Sequence, residues 1–283
     1  MKVLDKILIV IFNICLLLVA IWISAVPIAK SKSYYENQFE KNGIYSYIDE
    51  EGNQIQKRFR YIGGTRGSRT YFTDQQLDVI IEHIIDYLFK GKDSFDLRMD
   101  DVLIDGKYLD DVKVFGDVAI THMEDVKVLF TVYRIVSGVA LVLMIAIFVY
   151  ILKRLKEIKK SLLSVTLIFY GTIFLLIGLF LVIVLINMKK EGIPFEMDWF
   201  LDTLWRDIHK ILFMFQPEKV EGSFFNDILT EVLTLDLFIT AVIIVVVVLI
   251  SLLTIWLTFA GIMRKYADKL YDKIFKKERS VEA

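Results

Sequence analysis

The sequence predicts an integral membrane protein, mainly α, with four transmembrane helices and an extracytoplasmic α+β cap. Three observations carry this prediction. Of the 283 residues 55% are hydrophobic, and mean hydropathy is +0.53, where soluble domains are roughly 45–50% apolar. The excess collects in four uncharged runs, residues 7–29, 135–152, 161–188 and 237–263. Each matches the ~18–20 residues that a helix needs to cross ~30 Å of hydrocarbon, and a helix satisfies its own backbone polar groups at that depth. Lastly, basic and acidic character alternates between the connecting segments.

That alternation orients the chain. Lys2 and Lys6 precede the first run, residues 153–160 carry five bases and one acid, and seven bases follow Met263. Residues 30–127 instead hold 14 bases and 19 acids, and residues 189–236 hold 5 and 10. Basic loops stay on the cytoplasmic side, so both termini are expected there, in a multi-pass protein of the cell membrane with its main soluble domain outside. The expected organisation is helix 1 in residues 1–29 and a cap in 30–128. Helices 2 and 3 fill 129–188 around a short basic loop, 153–160. An aromatic outer segment (189–236), helix 4 (237–263) and a basic cytoplasmic tail (264–283) follow. The net charge of −1 gives no reason to expect nucleic acid as a partner. The first run is longer than the ~7–15 residues of a signal-peptide core and lacks an A-x-A site, which predicts a retained helix. Cys15, the single cysteine, lies inside it, so no intrachain disulfide is expected.

Within the cap, residues 44–61 read as a hairpin about Glu51-Gly52-Asn53. Arg58, Arg60, Arg66 and Arg69 surround Gly63, Gly64 and Gly67 as a basic loop, either a solvated turn or a contact for lipid phosphate. Thr73 and Gln76 form a capping box for an amphipathic helix over 73–90, which Gly91 ends. Leu77, Ile80, Ile81, Ile84, Ile85 and Leu88 make its apolar stripe. His83 lies off that stripe and is expected to face water. Residues 99–114 read as a second hairpin about Asp105-Gly106. Its aspartates lack the spacing of an EF-hand. From Asp117, the expected N-cap, a helix runs unbroken into the second crossing, with Tyr133 and Arg134 at the interface. Residues 199–215, opened by Pro194 and ended by Pro217, read as an aromatic helix lying in the interface plane.

No hydrolase elbow, zinc-helix, paired-cysteine or phosphate-loop motif is present, and neither a cofactor nor a metal is expected. The centres of the four runs carry no charge, which counts against a transporter or channel. Two histidines remain, both just outside the membrane. His122 precedes the second crossing with Asp125 at i+3. His209 precedes the fourth, sharing a helical face with Asp202, Trp205 and Phe213. Either one alone fits a structural role. A pair can act as base and acid near neutral pH, because imidazole titrates near 6.5.

The order of segments, the stretch His122-Met123-Glu124-Asp125-Val126-Lys127 and the aromatic stretch after His209 together resemble the bacterial lipoprotein intramolecular transacylase (Lit) family. The resemblance covers essentially the whole chain. It implies a membrane acyltransferase that moves the sn-2 acyl chain of a diacylglyceryl lipoprotein to the amine of its N-terminal cysteine. It also implies two catalytic histidines, His122 and His209, and membrane lipid and lipoprotein as partners. Asp125, Asp202, Trp205, Arg206 and Arg134 would support the site, with Arg206 or Arg134 stabilising an oxyanion. The chain differs from the family pattern at Val118-Ala119, at Gln216-Pro217 and in a larger cap. The alternative is a non-catalytic membrane protein whose outer domain binds a partner or senses the envelope.

Overall fold

The computed structural model describes residues 3–49, 51–190, 203–204 and 227–279. The chain divides into a helical unit of Met1–Ser24, Tyr133–Phe195 and Ile244–Ala283, and an α+β unit of Ala25–Val132 and Glu196–Ile243. In chain order the elements begin with α1 (Val3–Lys30), α2 (Lys32–Lys41), β1 (Tyr47–Ile48), β2 (Gln54–Ile55), β3 (Phe59–Ile62), β4 (Thr65–Tyr71) and α3 (Asp74–Phe89). There follow β5 (Arg98–Met99), β6 (Val102–Ile104), β7 (Lys107–Leu109), β8 (Val112–Lys113) and α4 (Asp117–Lys153). The last described elements are α5 (Leu155–Lys190), α6 (Ile228–Val232) and α7 (Leu235–Arg279).

Among the described residues four helices are long and apolar enough to span a membrane: α1, α4, α5 and Leu235–Lys269 of α7. In the helical unit they pack most closely at one end. There Ile9 and Phe12 of α1, Ile147 and Ile151 of α4, Leu155, Ile158 and Leu162 of α5, and Trp256 and Ala260 of α7 form one buried cluster. A polar network is set among these apolar contacts. Asn13 donates to the Ile9 carbonyl at 2.7 Å and to Thr166 Oγ1 at 3.3 Å, and its Oδ1 accepts Trp256 Nε1–H at 3.0 Å. In hydrocarbon such bonds tie helices together because the alternative is an unsatisfied polar group. Asp5, also buried, accepts the Tyr150 hydroxyl at 2.8 Å and faces Arg154 at 3.6 Å. Residues 171–183 of α5 and 244–252 of α7 include no buried side chain, the surface expected of helices bathed in lipid tails.

The α+β unit is built on α3. Thr73 Oγ1 accepts the Gln76 N–H at 3.2 Å, and Gln76 Oε1 accepts the Thr73 N–H at 2.9 Å, so the predicted capping box is complete. Gly91, at φ +80°, supplies the left-handed residue that stops the helix. Leu77, Ile80, Ile81, Ile84 and Ile85 sink into the core with Phe39, Phe59, Phe72, Tyr87, Phe95 and Phe115. Each such side chain contributes roughly 1.5–3 kcal/mol by leaving water. A four-stranded antiparallel sheet runs β3-β4-β6-β7, with β1-β2 and β5-β8 as separate pairs. Both predicted hairpins form: Tyr47 pairs Ile55 across Gly52, and Ile104 pairs Lys107 across Asp105-Gly106. Asp105 (φ 50°) and Gly106 (φ 81°) are both left-handed, as the tight mirror-image turn requires.

Four expectations change. The basic segment around Gly63-Gly64 is a β-hairpin rather than a loop, with both glycines left-handed and β3 paired to β4. Arg60 in it is committed to Glu231, its Nε at 2.9 Å and its backbone N–H at 2.8 Å from the carboxylate. Residues 153–160 shrink to a break at Arg154, because Leu155, Ile158 and Leu162 recur at helical spacing and bury on one face. Helix α4 begins at Asp117, but the cap position belongs to Gly116, whose carbonyl accepts the Ile120 N–H at 3.0 Å. The fourth correction is His83. It is 3% exposed and does not face water. The predicted interfacial helix over 199–215 lies outside the described residues, apart from the helical pair Thr203-Leu204.

Candidate active site

The described half of the candidate site is the first two turns of α4. The start of this helix is fixed by close approach and by charge. A Cβ on Gly116 would lie 2.6 Å from the Gly64 Cα, so only glycine fits there. The Gly116 N–H donates to Asp227 Oδ2 at 2.8 Å, and Asp227 Oδ1 accepts the Leu229 N–H at 2.9 Å as the N-cap of α6. Asp227 is 2% exposed, and burial pushes its carboxyl above the ordinary range, while the hydrogen bonds from Leu229 and Gly116 oppose that shift.

Beyond this start, Ala119 and Met123 are separated by one turn and both bury in the core of the α+β unit. They anchor the helix face beside His122. His122 itself is half-buried, as is Asp125, and Glu124 between them is exposed. At i and i+3 the two side chains are neighbours on one helix, with Cβ atoms ~5–6 Å apart.

The last residue of the stretch, Lys127, is held in two ways. Its ammonium sits 4.2 Å from the centroid of the Tyr87 ring and donates to the Lys92 carbonyl at 2.5 Å. The Lys92 ammonium in turn donates to His83 Nδ1 at 2.8 Å, and His83 Nε2–H donates to the Phe95 carbonyl at 3.0 Å. A lysine can only donate, so Nδ1 carries no proton and the ring is the neutral Nε2–H tautomer. Phe95 and Phe115, stacked on each other at 4.5 Å, pack against it with centroids at 5.2 and 6.2 Å. Burial pushes the His83 pKa down, and the Lys92 charge adds to the shift.

Of the predicted supporting residues, Arg134 is exposed on α4. Its neighbour Tyr133 donates to the Leu18 carbonyl at 2.9 Å and packs on Trp22 at 5.6 Å, the aromatic anchoring expected of an interface. His209, Asp202, Trp205 and Arg206 lie outside the described residues. Among the described residues no cluster of three or more His, Cys, Asp or Glu side chains could hold a metal. Sequence reasoning missed Asp227 and the His83–Lys92–Lys127 chain. Asp227-Ile228-Leu229 does carry a capping signal before an apolar run, but nothing local reveals its partner.

The chain matches the family model described as Lipoprotein intramolecular transacylase Lit over residues 10–214. The match runs from α1 through α5 and includes the positions of both His122 and His209, and it ends before α6 and α7. No curated protein and no solved structure matches the chain. A match over most of the chain sets aside the non-catalytic alternative and makes this a membrane enzyme acting on lipoproteins: the chain belongs to the lipoprotein intramolecular transacylase (Lit) family.

Proposed function

We propose that His122 and His209 form one site, on the outer face of the membrane, that moves the sn-2 acyl chain of a diacylglyceryl lipoprotein to its N-terminal cysteine amine. The observation that carries this reading is the family match spanning both histidines, in a chain offering no other catalytic motif. The outer location rests on the basic segments at 153–160 and after Met263, which favour the cytoplasmic side.

In this reaction the amine nitrogen attacks the ester carbonyl carbon. One histidine takes the proton that the amine loses, and the other gives a proton to the departing glyceryl oxygen. A C–N bond forms, a C–O bond breaks, and one proton moves from nitrogen to oxygen, with no water consumed. Both reacting groups belong to one substrate, so the enzyme's task is to fold that substrate on itself. Proximity of this kind is worth about 7–11 kcal/mol. Arg206 or Arg134 would stabilise the oxyanion of the tetrahedral intermediate, and Asp125 would orient the ring of His122.

The test uses the purified protein and a diacylated lipopeptide with a free N-terminus. Product and substrate are isomers, so the product is read by fragmentation in the mass spectrometer and by loss of the free amine. Wild type should convert this lipopeptide and leave an N-acetylated or sn-2-lyso analogue unchanged. Conversion of the N-acetylated analogue would contradict the proposed attack by the amine.

A further inference from the structure

His122 sits on a helix whose next turn is held from outside. Lys127 of α4 reaches the Lys92 carbonyl and the face of Tyr87, and Lys92 itself is held by the His83 ring. His83 is therefore the buried end of a chain running from α3, through the segment after Gly91, to the helix that carries His122. We propose that His83 is a positioning residue for the transacylase site, setting α4 through Lys92 and Lys127 while its ring is neutral and releasing it when the ring takes a proton. The inference rests on the reading of His122 as a working residue.

The chemistry follows from the partners. A proton on Nδ1 removes the acceptor that Lys92 uses at 2.8 Å and sets two cations face to face. It also leaves an imidazolium buried beside the stacked rings of Phe95 and Phe115, an apolar surround that disfavours the charge. The charged groups facing His83 compensate only in part. Asp86, one turn along α3 and paired with Lys90 at 2.7 Å, and Asp96 both favour the charged ring, but desolvation outweighs them. From α4, the nearby charges are Lys127, already bonded to the Lys92 carbonyl, and Glu124, which acts on Tyr87. The folded-state pKa is lowered below the ordinary 6.5, with desolvation the largest cause. The neutral ring thus stabilises the fold fully above pH ~6.5, and that contribution is lost as pH falls below it.

The experiment compares wild type with His83→Gln, His83→Leu and Lys92→Met in detergent or liposomes. The catalytic histidines also titrate the rate, so the thermal midpoint is followed from pH 5 to 8 beside the activity. Wild type should lose stability below pH ~6.5, and His83→Gln, which cannot titrate, should not. His83→Leu should lower kcat several-fold at pH 7.5 with KM unchanged, and His83→Gln, an acceptor again for Lys92, should restore most of it. Should the His83 variants fail to fold, Lys92→Met decides the matter. Loss of the facing ammonium should bring the folded-state pKa back toward the ordinary 6.5 and so shrink the acid loss of stability. In wild type labelled at its three histidines, one ring should remain the Nε2–H tautomer below pH 6.5. An unchanged acid profile in His83→Gln or in Lys92→Met, or an unaltered kcat in His83→Leu, overturns the proposal. Full activity in His122→Ala would instead sink the histidine mechanism and leave these stability readouts intact.

Discussion

The carboxylate of Asp227 accepts the backbone N–H of Gly116 at 2.8 Å, across 111 positions of sequence. One buried side chain thereby fixes the first turn of the helix that carries His122 and caps α6 as well.

Replacing Asp227 with alanine removes the acceptor of two backbone N–H groups and an N-cap together. The expected cost is about 2–4 kcal/mol of stability. Thermal unfolding of the purified protein should show it as a clear fall in midpoint. Gly116→Ala should be at least as harmful, since its methyl meets the backbone of Gly64 at 2.6 Å and no side-chain rotation relieves that. A tolerated Gly116→Ala would mean that α4 does not start as described.

In the helical unit, Asn13→Leu should destabilise by roughly 1–2 kcal/mol, leaving Trp256 Nε1–H and Thr166 without their partner. Trp256→Phe should cost less, because it removes the donor and keeps the ring between Phe12 and Phe259. The check is the double variant: the two changes should be less than additive, as expected of groups in one network.

Sidedness is tested by cysteine probes in intact cells or spheroplasts. Glu51 is an exposed turn position and Lys107 the exposed first residue of β7, beside left-handed Gly52 and Gly106, so a cysteine at either avoids the strain that the glycines themselves would impose. An impermeant maleimide should label both from outside and should spare Glu157→Cys, which follows the break at Arg154. External labelling at position 157 would invert the proposed topology.

What the sequence made legible was local. The capping box of Thr73 and Gln76, the stop at Gly91 and the Asp105-Gly106 turn each depend on a few adjacent residues, and each forms as read. The four spanning helices were legible because their signal is summed over a long run. His83 was misread because its burial is decided by Phe95 and Phe115, which fold over α3 from 12 and more positions away. The basic segment at 153–160 hid its helical character because charges surround Leu155 and Ile158, which bury at i and i+3. Asp227 was silent for the same reason as His83: its main partner is far along the chain. His122 was picked out by its place before the second crossing, and α4 does run from that histidine through the spanning stretch as one helix.

The most direct measurement is the transacylation rate of His122→Ala, His209→Ala and the double variant on a diacylated lipopeptide, with folding checked by thermal midpoint. Each single replacement should abolish most activity, and the double should be little worse than the slower single, because residues that act as a unit are strongly non-additive. Midpoints should stay close to wild type for His122→Ala, whose half-buried side chain lies beside the anchoring Met123 rather than in its place. N-acyl product formed at near wild-type rate by the folded double variant would contradict the account.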